Sequence, residues 1–213
     1  MRLRAGLIIA AVAAAAAFAL ATTASARRFS FSDTSYLELW SSLTFGTEGG
    51  TSISCPVTIG ASFHSKTMSK VNGLIGYVWE SHVATPSCTG GRYRFDTETL
   101  PWHTIYLGFE GTLPNITSLY IKFIHLTFDW EAGGVSCRTE TTATEPTVTG
   151  FVLEAEGGGG RVARALRAVE SDTIALRGSF LCELAGRGAF AGTGEVFVQR
   201  VPPTTRITIR LVQ

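Results

Sequence analysis

The chain holds four histidines, His64, His82, His103 and His125, and two carboxylate pairs spaced to share one strand face, Asp96 with Glu98 and Asp129 with Glu131. Acid–base chemistry needs a titratable group that can reach a substrate proton, and His103, close in sequence to Glu98 and Glu110, is the first candidate. The simpler reading of His103 is a side chain capping the edge of the core, because nothing supplies a recognisable nucleophile. Paired carboxylates are the chemistry of glycoside hydrolysis. Arg92 and Arg94 stand beside the first pair, however, so a solvated ladder of opposite charges is the better account. No two histidines have a spacing that places both on one strand face or one helical turn, and no metal site is expected. The sequence contains no Gly-x-Ser-x-Gly elbow, no phosphate-cradling loop before a helix and no zinc-protease helix. Together these features point to a protein that is not an enzyme and uses no cofactor. An extracellular hydrolase built on His103 and a nearby carboxylate is the catalytic alternative.

Binding is the other use of chemistry-bearing residues. Trp102 and Tyr106 share one face of an alternating segment, with Tyr120 further along the chain. Such a face is either an aromatic platform for stacking sugars or gripping a partner, or it is buried under the opposite sheet and a loop. Both readings stay open at the level of sequence.

The elements that would position these residues are read from the start of the chain. Arg2 and Arg4 precede an almost wholly apolar run from Ala5 to Leu20, and Ala24-Ser25-Ala26 supplies the small residues a signal peptidase needs. A signal peptide over residues 1–26 and a single exported domain over 27–213 are the expected organisation, with the chain secreted or held at the cell surface. Two of the 18 basic residues leave with the signal, so 16 remain against 17 acidic ones. That balance argues against nucleic acid or an anionic membrane as the main partner, since both demand clustered positive charge, and no membrane partner is expected after signal cleavage. A cell-envelope component or an extracellular protein is the expected kind of partner.

Cys55, Cys88, Cys137 and Cys182 all lie in the exported part, and none forms a CxxC pair. Two disulfides are the economical use of four cysteines in an oxidising compartment. Of the three pairings, Cys55 with Cys88 and Cys137 with Cys182 suits consecutive strands of a meandering sheet.

Strand alternation recurs along the chain and helical periodicity is nearly absent. Leu37, Leu39, Leu43 and Phe45 fall on one face, opposite Tyr36, Glu38, Trp40, Ser42 and Thr44. Ile53, Cys55, Val57, Ile59, Ala61 and Phe63 point inward on the next segment. Ile75, Tyr77, Trp79 and Val83 continue the pattern. The repeated tripeptides Thr99-Leu100-Pro101 and Thr112-Leu113-Pro114 read as strand-entry corners. From Ile116 to Trp130 the alternation changes parity at Phe123-Ile124, which suggests a β-bulge. Only Arg161 to Glu170 competes as a helix, with Val162, Leu166 and Val169 at i, i+4 and i+7, and strand is slightly preferred there. Ile174, Leu176, Phe180 and Cys182 read as one face of a strand. The expected fold is all-β, an antiparallel β-sandwich or closed barrel of about ten strands braced by disulfides. A closed barrel would also admit an apolar small molecule in its lumen.

The segments Thr99-Leu100-Pro101-Trp102-His103, Gly108-Phe109-Glu110-Gly111-Thr112-Leu113-Pro114-Asn115-Ile116, Gly178-Ser179-Phe180-Leu181-Cys182 and Gly192-Thr193-Gly194 resemble a family of uncharacterised small secreted β-rich proteins of GC-rich Gram-positive bacteria. The resemblance implies secretion and β structure. It carries no catalytic residue, cofactor or site across.

Overall fold

The structure is a computed structural model that describes residues 28–69, 73–83, 88–156, 160–169, 174–177, 180–200 and 204–212. The expected signal peptide lies outside the described residues. Within them the chain forms fifteen strands: β1 (Arg28–Phe31), β2 (Ser35–Thr47), β3 (Ser52–Phe63), β4 (Thr67–Ser69), β5 (Leu74–Val83), β6 (Arg92–Phe95), β7 (Trp102–Thr112), β8 (Asn115–Ile124), β9 (Thr127–Ala132), β10 (Val135–Glu140), β11 (Thr147–Ala155), β12 (Arg161–Val169), β13 (Ile174–Ala175), β14 (Arg187–Val198) and β15 (Thr208–Val212).

Eight of them close on themselves. β2, β3, β5, β7, β8, β11, β12 and β14 pair antiparallel in chain order, and β14 returns to pair with β2. The seam between β12 and β14 runs through Leu166 with Gly194, Arg167 with Thr193 and Ala168 with Gly192. Glycine is required there. A Cβ on Gly194 would lie 2.8 Å from the Leu39 carbonyl oxygen and 2.9 Å from the Trp40 ring. The fold is therefore an up-and-down barrel, one of the two all-β architectures expected, extended beyond β12 by β15, β1 and β4.

The second sheet, in the order β10-β9-β6, covers one end of the barrel. Its inner face presents Tyr93, Phe95, Phe128 and Trp130, which pack with Phe45 and Phe190 of the barrel wall at ring separations of 4.8 to 6.3 Å. The Tyr93 hydroxyl donates to the Leu43 carbonyl oxygen at 2.8 Å. At the other end, Phe29 and Phe31 of β1 pack with Tyr106, Phe109 and Phe63, and Phe63 stacks in turn on Tyr36. Two disulfides tie the covering sheet to the wall. Cys55 of β3 joins Cys88 just before β6, and Cys137 of β10 joins Cys182 in the five-residue helix Phe180–Leu184 that precedes β14. The pairing is the one expected from consecutive strands.

Three expectations of local structure are corrected. On β2 the buried face is Tyr36, Glu38, Trp40, Leu43 and Phe45, because a bulge between Trp40 and Leu43 inverts the parity of the strand. On β5 the buried residues include Val78 and Ser81, and Tyr77 faces solvent, with register irregularities on both sides of the strand. Phe180–Leu184 is helical rather than extended. Arg161–Val169 is a strand, as slightly preferred from the sequence. Arg164 is an extra residue against the Val152–Leu153 step of β11, so inward Ala163 is followed by inward Leu166 instead of Ala165.

Candidate functional site

Trp102 and Tyr106 belong to the core. They are 0% and 4% exposed, on the lumen side of β7, and Trp102 packs against Phe95 of the covering sheet while its indole N–H donates to Thr99 Oγ1 at 2.8 Å. An outward aromatic platform at these two residues is therefore ruled out by their burial. Burial also raises the Tyr106 hydroxyl above its ordinary ionisation range.

His103, on the opposite face of β7, reaches the surface. β7 and β8 form a hairpin about Leu113-Pro114, and its register places His103 opposite Ile124. The next residue, His125, marks the point where the chain leaves the barrel for the covering sheet. Its φ of 64° is a left-handed conformation uncommon for a residue with a Cβ. This corner accounts for the parity change at Phe123-Ile124. It brings the two imidazoles edge to face, with centroids 5.7 Å apart. His125 Nδ1 lies 3.2 Å from Glu140 Oε1, and the Thr127 hydroxyl donates to the His125 carbonyl oxygen at 3.4 Å.

Around this pair opens a cleft of about 620 Å³, lined by Thr99, Pro101, His103, His125, Thr127, Arg138, Thr139, Glu140 and Arg177. Its cationic wall is held from below. Arg138 contacts Asp96 and also approaches Asp129 at 3.7 Å, while Arg177 approaches Glu145 at 3.9 Å. The backbones of Arg138 and Arg177 form an antiparallel bridge, which brings the two residues side by side. The Thr139 hydroxyl is buried and lacks a hydrogen-bond partner. The cleft thus gathers two guanidinium and two imidazole groups with the Glu140 carboxylate, and both guanidinium groups are ion-paired, Arg138 with Asp96 and Asp129 and Arg177 with Glu145. Among the described residues no serine or cysteine lines it, and the His125 ring hydrogen-bonds to Glu140. Asp96 and Glu98 do not share a strand face as expected, because the strand ends at Phe95 and Asp96 caps a 3-10 turn over Thr97–Thr99; Arg92 and Arg94 instead pair with Glu131 at 3.1 Å and Asp129 at 3.2 Å, on the outer face of the covering sheet. Among the described residues no three His, Cys, Asp or Glu side chains converge to hold a metal ion.

A second polar site lies inside the barrel, on the face of β2 that alternation had set opposite Leu37, Leu39, Leu43 and Phe45. Glu38 is wholly buried. Its Oε2 accepts from the Trp40 indole N–H at 3.2 Å, and its Oε1 has no partner, like the Tyr36 hydroxyl and Thr104 Oγ1. Desolvation pushes the Glu38 carboxyl up to about 8 from 4.5, against the smaller lowering effect of the Trp40 hydrogen bond. The same burial, and then the Glu38 charge, raises the Tyr36 hydroxyl. Beside Glu38 the lumen leaves a void of about 20 Å³, walled by Thr147 and Thr149 among apolar side chains that include Leu43, Phe95 and Phe190. That is room for about one water molecule.

No family model, curated protein or solved structure matches this chain.

Proposed function

We propose that the chain is an exported, non-enzymatic binding module, and that it contacts a polar component of the cell envelope through the cleft at His103, His125, Arg138 and Arg177. The observation that carries this reading is the convergence of guanidinium and imidazole groups on one open cleft of about 620 Å³, a size at which small-ligand sites are found. Guanidinium groups recognise carboxylate and hydroxyl oxygens by forked hydrogen bonds, so the ligand class is an oxygen-rich, acidic glycan or a similar polymer. Export is supported by the two disulfides, which fit an extracellular destination, by the amino-terminal basic and apolar segments, and by the resemblance to secreted β-rich proteins. The void beside Glu38, with room for about one water, gives no support to a carried apolar ligand.

The His125–Glu140 pair favours a second reading, acid–base catalysis at the same cleft, since a carboxylate on Nδ1 fixes the imidazole tautomer. Affinity electrophoresis of the disulfide-bonded protein through gels containing purified cell-wall polysaccharide separates the two. The binding reading expects retardation that Arg177→Ala weakens and no reducing ends released from the polysaccharide. Unretarded migration rejects it, and release of reducing ends that His125→Asn abolishes would favour catalysis.

A further inference from the structure

Phe180, Leu181 and Leu184 are 72%, 55% and 62% exposed, the highest values among the exposed large hydrophobic residues of the described chain. All three stand on the one short helix Phe180–Leu184. Successive helical residues are rotated by about 100°, so Phe180, Leu184 and Leu181 span a single outward face while Cys182 points back toward the protein. Cys182 is fully buried and bonded to Cys137 of β10. The far end of the helix is anchored as well. The Gly49 N–H donates to the Ala185 carbonyl oxygen at 3.0 Å, and the Arg187 N–H donates to Glu48 Oε2 at 2.9 Å. A disulfide and two hydrogen bonds from the β2–β3 turn region therefore hold three apolar side chains away from the barrel, where a loose loop would fold them down.

We propose that this turn is a membrane-surface contact, inserting Phe180, Leu181 and Leu184 into the headgroup–acyl boundary of a lipid bilayer. The three side chains offer roughly 400 Å² of apolar surface. Two copies meeting through them would bury about 800 Å² in total, short of the ~1,200 Å² at which stable specific protein interfaces begin. A bilayer sets no such minimum, because each side chain transfers singly. Charge near the turn carries no positive excess, with two arginines against three glutamates. Glu145 contacts both Arg177 and Arg187, at 3.9 and 3.3 Å, and Glu48 and Glu183 stand close by. Attraction to anionic headgroups is therefore not the driving force, in keeping with the near-neutral chain. Among the described residues no helix is long and apolar enough to cross a membrane, so the contact is interfacial. It is independent of the cleft and stands or falls without it.

The test is co-sedimentation of the disulfide-bonded protein with large vesicles of pure phosphatidylcholine and of phosphatidylcholine mixed with phosphatidylglycerol, at low and high salt. The expected result is comparable binding to both vesicle types with little effect of salt. The triple variant Phe180→Ser, Leu181→Ser, Leu184→Ser should lower the partition coefficient at least ~10-fold while its thermal melting matches wild type. No sedimentation with either vesicle, or binding that the variant retains, overturns the proposal. So does binding confined to the anionic vesicles and lost in salt. A wild-type dimer that the variant converts to monomer, without vesicle binding, would assign the turn to a second copy of the chain and also overturn it.

Discussion

Glu38 gives the sharpest quantitative expectation. In an unfolded chain its carboxyl titrates near 4.5, and in the barrel near 8. The folded state therefore holds a proton that the unfolded state releases throughout the interval between those values. Since the unfolded state binds fewer protons there, stability falls as pH rises across this window; the contribution is fully present below the lower value and lost by the upper one. Each unit of separation is about 1.4 kcal/mol, so the loss is on the order of 5 kcal/mol, a large part of the ~5–15 kcal/mol that holds a typical domain together. Glu38→Gln keeps an oxygen acceptor for the Trp40 N–H and cannot ionise. The assay is equilibrium urea unfolding of wild type and Glu38→Gln, disulfides intact, from about pH 4.5 to about pH 9. The difference between the two proteins cancels every other titrating group. It should be small at the acid end and grow with pH until the variant is the more stable by several kcal/mol near pH 8, levelling off above. A difference that stays flat with pH would refute the argument, because it would mean that Glu38 is hydrated or paired in the native state.

Other expectations follow from single contacts. Gly194→Ala should cost roughly 1–3 kcal/mol, measured by denaturant midpoint, because the new Cβ meets the Leu39 carbonyl and the Trp40 ring at the barrel seam. Trp102→Ala should lower stability by about 3–5 kcal/mol as a core cavity, measured by denaturant midpoint. Cys137→Ser with Cys182→Ser should cost about 4 kcal/mol on the loop-entropy relation for the 45-residue separation and raise hydrogen exchange first in β10. At the corner, His125→Asn should fold as wild type, whereas His125→Val should lose about 1–2 kcal/mol, since a β-branched side chain resists the left-handed backbone at φ 64°.

The sequence reveals what depends on local chemistry. Cysteine spacing carries the disulfide pairing, Pro101 and Pro114 mark the entries to β7 and β8, and the recurring alternation carries the all-β class. It conceals what depends on bulges. One extra step between Trp40 and Leu43 turns Glu38 from an apparent surface residue into the most buried carboxyl of the described chain, and nothing about Ser41-Ser42 marks the step. The bulge at Arg164 likewise shifts the inward face, so that Ala163 is followed inward by Leu166. Burial of Trp102 and Tyr106 depends on barrel closure and on Phe95 arriving from another sheet, neither of which alternation on β7 can register. The cleft was closer to reach. Folding the chain about Leu113-Pro114 puts His103 opposite Ile124, because the bulge at Leu107 on β7 is cancelled by one at Thr117 on β8. A hairpin register drawn from that turn would therefore have brought His103 beside His125. Glu140, Arg138 and Arg177 arrive from β10 and the bridge beyond it, through long-range pairings that no short spacing encodes.

The most direct test of the binding account is an NMR titration of the ¹⁵N-labelled, disulfide-bonded protein with soluble cell-wall polysaccharide, read as backbone amide shifts. Perturbations concentrated at Thr99, His103, His125, Thr127, Glu140 and Arg177, and lost in Arg177→Ala, are the result expected. Shifts confined to another face of the barrel, or none at saturating polysaccharide, would contradict it.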